Sequence, residues 1–277
     1  MKDKYSAIWV SHSSIGDYLK CPRAYYLRNV YRDPKTNHKI SLMAPSLALG
    51  QTVHEVIESL SVLTSEERFA KPLMDRFAAS WETVHGWRGG WSSPEEEAKF
   101  RARGEDMIAR VASHPGPLLH KTIKIRQELP HFWLSDEDNI ILCGKIDWLE
   151  YVEEQDSVRI IDFKTGKFDE DPDSLQLPIY YLLAGSCQSK PVCGISYWYL
   201  NRDAEPIAMD LPDKDQAVTR VLELAKRIAL ARKLGRFVCK DTQGCRACRP
   251  LEAIIAGKAR FVGVNDFSQD IYVLPSS

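Results

Sequence analysis

The sequence contains 277 residues, of which 44% are hydrophobic and 27% are charged, and its formal net charge is −1. A chain of this length can bury a sizeable core, and its composition excludes collagen, coiled-coil and disordered proteins. The near-neutral total also excludes a basic surface over the whole molecule, so any nucleic-acid surface must be local. Seven cysteines, no apolar run of membrane-spanning length and no hydrophobic leader segment predict a soluble protein in the reducing cytoplasm.

The first segment combines helix signals with a run of cations. Ser11 or Ser13 can cap a helix that ends at Lys20, and Pro22 can begin a second helix. Six lysines and arginines lie between Lys20 and Lys39, with tyrosines among them and a single acidic residue. This pattern suits a surface that binds single-stranded nucleic acid. It equally suits a helix with buried tyrosines and solvated cations, and both interpretations stay open.

Helices are predicted next. An apolar stripe runs through Pro45–Leu63, and His54 lies at its border, where a histidine is more often a packing residue than a metal ligand. Ser65–Trp87 and Ser93–Ser113 continue as helices, the second of which begins with a capping box and a proline. We expect a helical subdomain over residues 40–118.

Two apolar runs, Ile140–Val152 and Val158–Phe163, predict a pair of antiparallel strands joined by a hairpin. Because side chains alternate along a strand, Asp162 and Lys164 share one face and Phe163 points to the other. If the strands pair in register, Asp147 joins Asp162 and the two carboxylates can hold a hard divalent cation, beside a lysine that holds or activates water. The alternative places both aspartates on solvated edges and makes Lys164 a surface cation.

The remaining elements predict a mixed α/β sheet of about five strands flanked by helices. Gln176 and Tyr180 are four residues apart, so they share one face of a predicted helix over Ser174–Ala184. The other predicted segments are the strands Lys121–Glu128, Val192–Leu200, Ile207–Leu211 and, at an edge, Asp270–Leu274, and the helix Asp213–Leu234.

Cysteines cluster near the end of the chain. Cys245 and Cys248 form a C-x2-C pair, which is typical of zinc, redox or iron–sulfur sites. A set of four ligands is completed most simply by Cys239 and the distant Cys21. Zinc, an iron–sulfur cluster and unligated thiols remain alternatives. The other three cysteines lie in apolar contexts and are predicted core residues: Cys143, Cys187 and Cys193.

Several of these motifs occur in one order that resembles a known family. They are the segment Gly50–Glu55 with its histidine, the segment Gly144–Asp147, the segment Asp162–Gly166 and the segment Gln176–Tyr180. Together they resemble the RecB-like branch of the PD-(D/E)XK nuclease superfamily, which includes the RecB and AddB nuclease domains and CRISPR-associated RecB-like exonucleases. Matching elements run from about Ser11 to Cys248.

The resemblance implies a restriction-endonuclease-like core and assigns residues to roles. Mg²⁺ or Mn²⁺ would be held by His54, Asp147, Asp162 and the carbonyl of Phe163, while the catalytic residues beside the two aspartates would be Lys164, Gln176 and Tyr180. It also implies a 4Fe-4S cluster on Cys21, Cys239, Cys245 and Cys248, with zinc as the alternative. The chain departs from the family at Ile254, where relatives usually carry their last cysteine.

These observations predict a metal-dependent DNA nuclease. The resemblance implies an exonuclease that acts on single-stranded DNA or DNA ends in repair, recombination or CRISPR-type DNA processing, with a helicase or a CRISPR adaptation protein as partner. The alternative is a non-catalytic DNA-binding adaptor with a structural metal cluster. We expect one nuclease domain over residues 1–277, a PD-(D/E)XK core over 119–213, and a metal-cluster patch formed by 11–32 plus 234–252.

Overall fold

The computed structural model describes residues 3–275, which contain eight α-helices and ten strands. The helices are α1 (His12–Lys20), α2 (Pro22–Tyr25), α3 (Pro45–Leu60), α4 (Leu73–Trp81), α5 (Pro94–Ser113), α6 (Gln176–Cys187), α7 (Lys214–Leu234) and α8 (Arg249–Ile255). The strands are β1 (Ile8–Val10), β2 (Lys39–Leu42), β3 (His131–Ser135), β4 (Ile140–Cys143), β5 (Trp148–Val152), β6 (Ser157–Lys164), β7 (Val192–Tyr199), β8 (Ile207–Met209), β9 (Arg260–Val264) and β10 (Gln269–Val273).

The central sheet has the strand order β5-β6-β7-β8. Strand β5 is antiparallel to β6, β6 is parallel to β7, and β8 returns antiparallel to β7. Helix α6 makes the crossover that a parallel pair requires. Two smaller sheets have the orders β1-β4-β3 and β2-β10-β9. This arrangement confirms the predicted mixed α/β class.

The predicted strand Lys121–Glu128 is wrong, because only Thr122 forms a bridge, to Glu150 of β5. Ile123 donates to the carbonyl of Leu149, and β5 begins just before that residue. Farther along, the backbone of residues 124–128 therefore has no neighbouring strand to pair with. These residues instead line a groove against the end of α3.

The predicted strand Ile140–Val152 is likewise wrong as a single element, because it breaks at residues 144–147 into β4 and β5, which belong to different sheets. Gly144 sits at the break, where α6 packs closely. A Cβ atom on Gly144 would lie 3.0 Å from Cδ1 of Leu183, so the absence of a side chain permits this approach. Because of this break, Asp147 immediately precedes the first residue of β5.

Two hydrophobic cores lie on opposite faces of the central sheet. Val158 and Ile160 of β6 pack with α6 and α7, whereas Ile161 and Phe163 pack with α3, α4 and α5. This alternation confirms the predicted faces of β6, and it places Asp162 and Lys164 on the α6 side.

Two further boundaries differ from the predictions. The helix predicted over Ser65–Trp87 is confined to α4, because residues 64–72 form turns that end at Pro72. The strand predicted at an edge near Asp270 is instead the middle strand of its sheet, because β2 and β9 pair with its two sides. None of the helices within residues 3–275 has the length and apolarity to cross a membrane.

Candidate functional site

The strand pairing brings the two predicted aspartates together. Trp148 of β5 pairs with Ile161 of β6, so Asp147 and Asp162 are neighbours across the two strands. Oδ2 of Asp147 accepts a hydrogen bond from the backbone N–H of Phe163 at 3.0 Å. Asp162 is only 1% exposed. The side chain of Asp147 is 10% exposed, so both carboxylates lie at one largely buried point, as the strand pattern predicted.

Helix α3 supplies two more groups. Nδ1 of His54 lies 3.5 Å from Oδ2 of Asp147. Glu58 follows one turn later, and one ligand atom each from His54, Glu58 and Asp147 lie within 4.8 Å of one another. Glu58 was not among the predicted ligands, although its spacing of four residues from His54 indicates a shared helix face. In the structure Glu58 is ion-paired with Lys145.

Lys164 lies at the centre of a polar network. Its Nζ atom is 3.0 Å from Oδ2 of Asp162 and 2.8 Å from Oε2 of Glu170. It also donates to the side-chain oxygen of Gln176 and lies 4.9 Å from the ring centre of Tyr197. Glu170 was not predicted, and its position in a polar loop gives no local sequence signal.

Helix α6 brings the predicted Gln176 and Tyr180 to the same point. Nε2 of Gln176 donates to Oδ1 of Asp162 at 2.8 Å and lies 3.3 Å from the hydroxyl of Tyr180. The amide thus connects Asp162, Lys164 and Tyr180. The structure therefore places the predicted site residues of the strands, α3 and α6 side by side, in two linked groups. His54 and Asp147 lie with Glu58, whereas Asp162 lies with Lys164, Gln176 and Tyr180.

Burial controls the electrostatics of this cluster. It raises the pKa of Asp147 well above that of an ordinary carboxyl, and it does the same to Asp162, whose pKa the charge of Asp147 raises further. Burial lowers the pKa of His54. Burial also opposes the charge of Lys164, but Asp162 and Glu170 outweigh it and raise the pKa of this lysine. Without a cation the two carboxyl groups are therefore difficult to ionise together, and a bound cation would stabilise their charged forms.

The donor set fits a divalent metal ion. Among the buried side-chain nitrogen and oxygen atoms of residues 3–275, Oδ2 of Asp162 is one of the few that lack a hydrogen bond of good geometry, although Nζ of Lys164 lies 3.0 Å away, so it retains acceptor capacity. With Asp147 it offers the oxygen ligands that Mg²⁺ and Mn²⁺ prefer, and a neutral His54 adds nitrogen, which favours Mn²⁺.

A profile of the PD-(D/E)XK nuclease superfamily matches residues 9–251. The chain belongs to this superfamily. It is therefore a metal-dependent phosphodiester nuclease with a restriction-endonuclease-like fold. No curated protein matches the sequence.

This PD-(D/E)XK nuclease has a second group of potential ligands, formed by four cysteines. Cys21 lies at the start of α2, and it meets three cysteines from residues 239–248 near the start of α8. The four sulfur atoms lie within 4.8 Å of one another, and those of Cys245 and Cys248 are 3.8 Å apart. The structure thus brings together the predicted ligands Cys21, Cys239, Cys245 and Cys248.

The thiols of this group differ in acidity. Backbone hydrogen bonds from Cys248 and Ala247 lower the pKa of Cys245 to about 7. Burial raises the pKa of Cys21 and Cys248. A metal ion bound to the sulfurs would lower the pKa of Cys21 and Cys248, because the thiolate is the form that binds metal. The group can hold either zinc or an iron–sulfur cluster.

Proposed function

We propose that this protein is a DNA nuclease of the RecB-like kind, with its active site between β5, β6, α3 and α6. The observation that carries the proposal is the convergence of Asp147, Asp162 and Lys164 at one largely buried point, with His54 beside Asp147. Two carboxylates placed together without a cation would repel each other at a high cost in free energy. The site is therefore suited to bind metal and phosphate.

The ligands of the divalent ion in this proposal are His54, Asp147, Asp162 and the carbonyl of Phe163. Bound there, the ion would supply Lewis-acid stabilisation of the negative charge that develops on the scissile phosphate. The backbone N–H of Phe163 fixes Oδ2 of Asp147, so this ligand is oriented before metal binds.

Lys164 acts as a charged hydrogen-bond donor. Its raised pKa keeps the ammonium charged at neutral pH. Its three N–H groups face Asp162, Glu170 and Gln176, so in this proposal Nζ exchanges one of these partners for the attacking water or a phosphate oxygen. Gln176 holds both Asp162 and Lys164 in place. Burial and the neighbouring carboxylates raise the pKa of Tyr180, so its phenol stays neutral and serves as a hydrogen-bonding group at the edge of the site.

The substrate in this proposal is single-stranded DNA or DNA ends, cleaved by exonuclease action. The order of motifs that resembles RecB, AddB and the CRISPR-associated exonucleases supports this choice. The same resemblance supports a role in repair, recombination or CRISPR-type DNA processing, with a helicase or adaptation protein as partner.

We infer that the four thiolates form a structural metal centre. A tetrahedral zinc ion with Zn–S bonds of about 2.3 Å places its sulfurs about 3.8 Å apart, which is the separation of Cys245 and Cys248. In a 4Fe-4S cluster each thiolate binds a different iron, so the sulfurs stand farther apart. The resemblance favours the cluster, and the sulfur spacing favours zinc.

The nuclease proposal is tested with purified protein and end-labelled single-stranded DNA in Mn²⁺. Asp162→Asn keeps the shape of the side chain but removes a ligand charge, and we expect a loss of cleavage of about 100-fold or more, with a similar loss for Lys164→Ala. Asp156→Asn is the matched control, because Asp156 lies in the exposed β5–β6 hairpin and should leave the rate unchanged.

A readout besides cleavage comes from the metal itself. Mn²⁺ should raise the unfolding temperature of the wild type and of Asp156→Asn, but much less that of Asp162→Asn. Equal cleavage by wild type and Asp162→Asn would refute the proposed site. DNA binding without cleavage in either Mn²⁺ or Mg²⁺ would support the non-catalytic adaptor instead.

A further inference from the structure

A groove opens beside the proposed active site, between the start of α3, the middle of α5 and the loop that follows β6. Its walls include Phe100 and Arg103 of α5 and residues 165–168 of the loop. Arg103 donates a hydrogen bond to the carbonyl of Thr165 at 3.3 Å, which ties α5 to the residue after Lys164. The groove and the active site therefore share one loop.

Phe168 projects from this loop into solvent. It is 86% exposed, more than most large apolar side chains of this protein. Its loop is held close to the active site, because Glu170, two residues later, is ion-paired with Lys164 at 2.8 Å. A single exposed ring is common on protein surfaces, so the exposure gains meaning only from the charges around it.

The charges of the groove are all of one sign. Lys99, Arg103 and Lys167 line it, and no aspartate or glutamate is among its lining residues. The guanidinium of Arg103 lies 5.2 Å from the ring centre of Phe100. Cations that can follow a phosphate backbone, combined with an exposed ring, are the features of a surface that binds single-stranded nucleic acid. A duplex keeps its base faces stacked, so it offers nothing to an exposed ring.

We propose that this groove binds single-stranded DNA, with a base stacked on Phe168 and the phosphates beside Lys99 and Lys167. The inference deepens the proposed nuclease function, on which the choice of DNA and the path of the strand toward Lys164 rest. Phe168 is then a substrate-positioning residue, because it holds the strand and does not touch the reacting phosphate.

Binding is measured by fluorescence anisotropy with a labelled single-stranded oligonucleotide, in the Asp162→Asn background and without metal, so that no cleavage occurs. Phe168→Ala should weaken binding by roughly fivefold or more, which is the effect of one lost stack. Phe168→Trp should keep the affinity of the parent protein for the oligonucleotide. Phe168→Leu, which is apolar but has no ring, should lose it as Phe168→Ala does. Phe267→Ala is the control, because Phe267 is 76% exposed in the turn between β9 and β10.

Two further arms separate stacking from charge. An abasic oligonucleotide should bind wild type and Phe168→Ala equally. Lys167→Gln should flatten the dependence of log affinity on log salt by about 0.7, the share of one phosphate contact on a single strand. Equal binding of normal oligonucleotide by wild type and Phe168→Ala would overturn the proposal, and so would a deficit that persists on the abasic strand.

The outcomes also distinguish this inference from the nuclease proposal. A wild-type protein that binds through Phe168 but never cleaves would refute the nuclease and leave the groove in place. A protein that needs Asp162 for cleavage but binds equally well without the Phe168 ring would refute only the groove.

Discussion

At the scale of single residues, the proposed active site depends on how Gln176 orients its neighbours. The carboxamide offers both a donor and an acceptor, so Nε2 can donate to Asp162 while the oxygen accepts from Lys164. A carboxylate could not donate to Asp162, and an apolar side chain could serve neither partner. Gln176 thus keeps a negative and a positive group at fixed positions without adding charge.

Gln176→Ala should lower the affinity for Mn²⁺ and the cleavage rate by roughly 10- to 100-fold, the usual effect of removing a group that orients a metal ligand. Titration of the unfolding temperature with Mn²⁺ and single-turnover cleavage would measure the two effects. Gln216→Ala is a suitable control, because Gln216 is exposed near the start of α7. Unchanged metal affinity in Gln176→Ala would show that Asp162 is held without the amide.

At the scale of elements, the helical layer is tied to the central sheet by Arg68. This side chain is 2% exposed, and it donates to the carbonyls of Leu60 at the end of α3, Leu118 and His120. Its guanidinium also lies 5.0 Å from the ring centre of Trp148, the residue after Asp147. One side chain thus connects α3, the chain after α5 and the start of β5.

Arg68→Met should lower the free energy of unfolding by about 3 kcal/mol, because it leaves buried carbonyls without donors. Arg68→Lys should also destabilise the protein, since one ammonium cannot reproduce the planar fork that reaches these carbonyls. Urea denaturation would measure both changes. Arg227→Ala provides the comparison at an exposed position of α7 and should change stability little.

The contact of α5 with α3 and α4 depends on Gly104. A Cβ atom there would lie 2.4 Å from Cζ of Phe77 and 3.1 Å from Cδ1 of Leu49, and both of those side chains are buried. The helices therefore approach each other more closely than an alanine would allow.

Gly104→Ala should lower the free energy of unfolding by about 1–3 kcal/mol, despite the better helix propensity of alanine. The matched variant is Gly16→Ala in α1, where a Cβ atom would meet nothing within 4 Å. It should raise stability by up to about 1 kcal/mol. If both variants were more stable than the wild type in a denaturation experiment, the side chains around Gly104 would have moved to accommodate the added methyl group, and the close approach would not limit stability.

At the scale of the whole molecule, the cysteine group joins distant parts of the chain. Cys21 belongs to the first helices, whereas Cys239, Cys245 and Cys248 follow α7. Cys21 and Cys248 also lie in a small core with Leu27, Ile40 and Leu251. A metal bound here would crosslink this core, and its binding free energy would add to the stability of the fold.

Cys21→Ser should remove the bound metal and lower the unfolding temperature. Metal analysis of protein purified without oxygen should give about one zinc per chain if the centre is the zinc site that the sulfur spacing favours. About four irons and a brown colour would instead show the cluster. Cys193→Ser is the control, because Cys193 lies outside the group. Full metal content in Cys21→Ser would remove this residue from the ligand set.

The amino-acid pattern by itself determined the local features of this protein. Alternation along β6 placed Asp162 and Lys164 on one face and Phe163 on the other, and helical spacing placed Gln176 beside Tyr180, because these relations depend only on backbone geometry. The motifs and their order resembled those of the nuclease superfamily. This resemblance is visible in the sequence because each motif is a short local segment.

Tertiary structure alone decided which segments pair and what surrounds the site. The break between β4 and β5, the unpaired backbone of residues 124–128 and the central position of β10 all depend on which strand lies alongside, and a strand's own sequence does not specify its neighbour. Glu58 and Glu170 joined the site for a similar reason. Their positions follow from the packing of α3 and of the loop after β6 against the sheet, which brings together residues far apart in the chain.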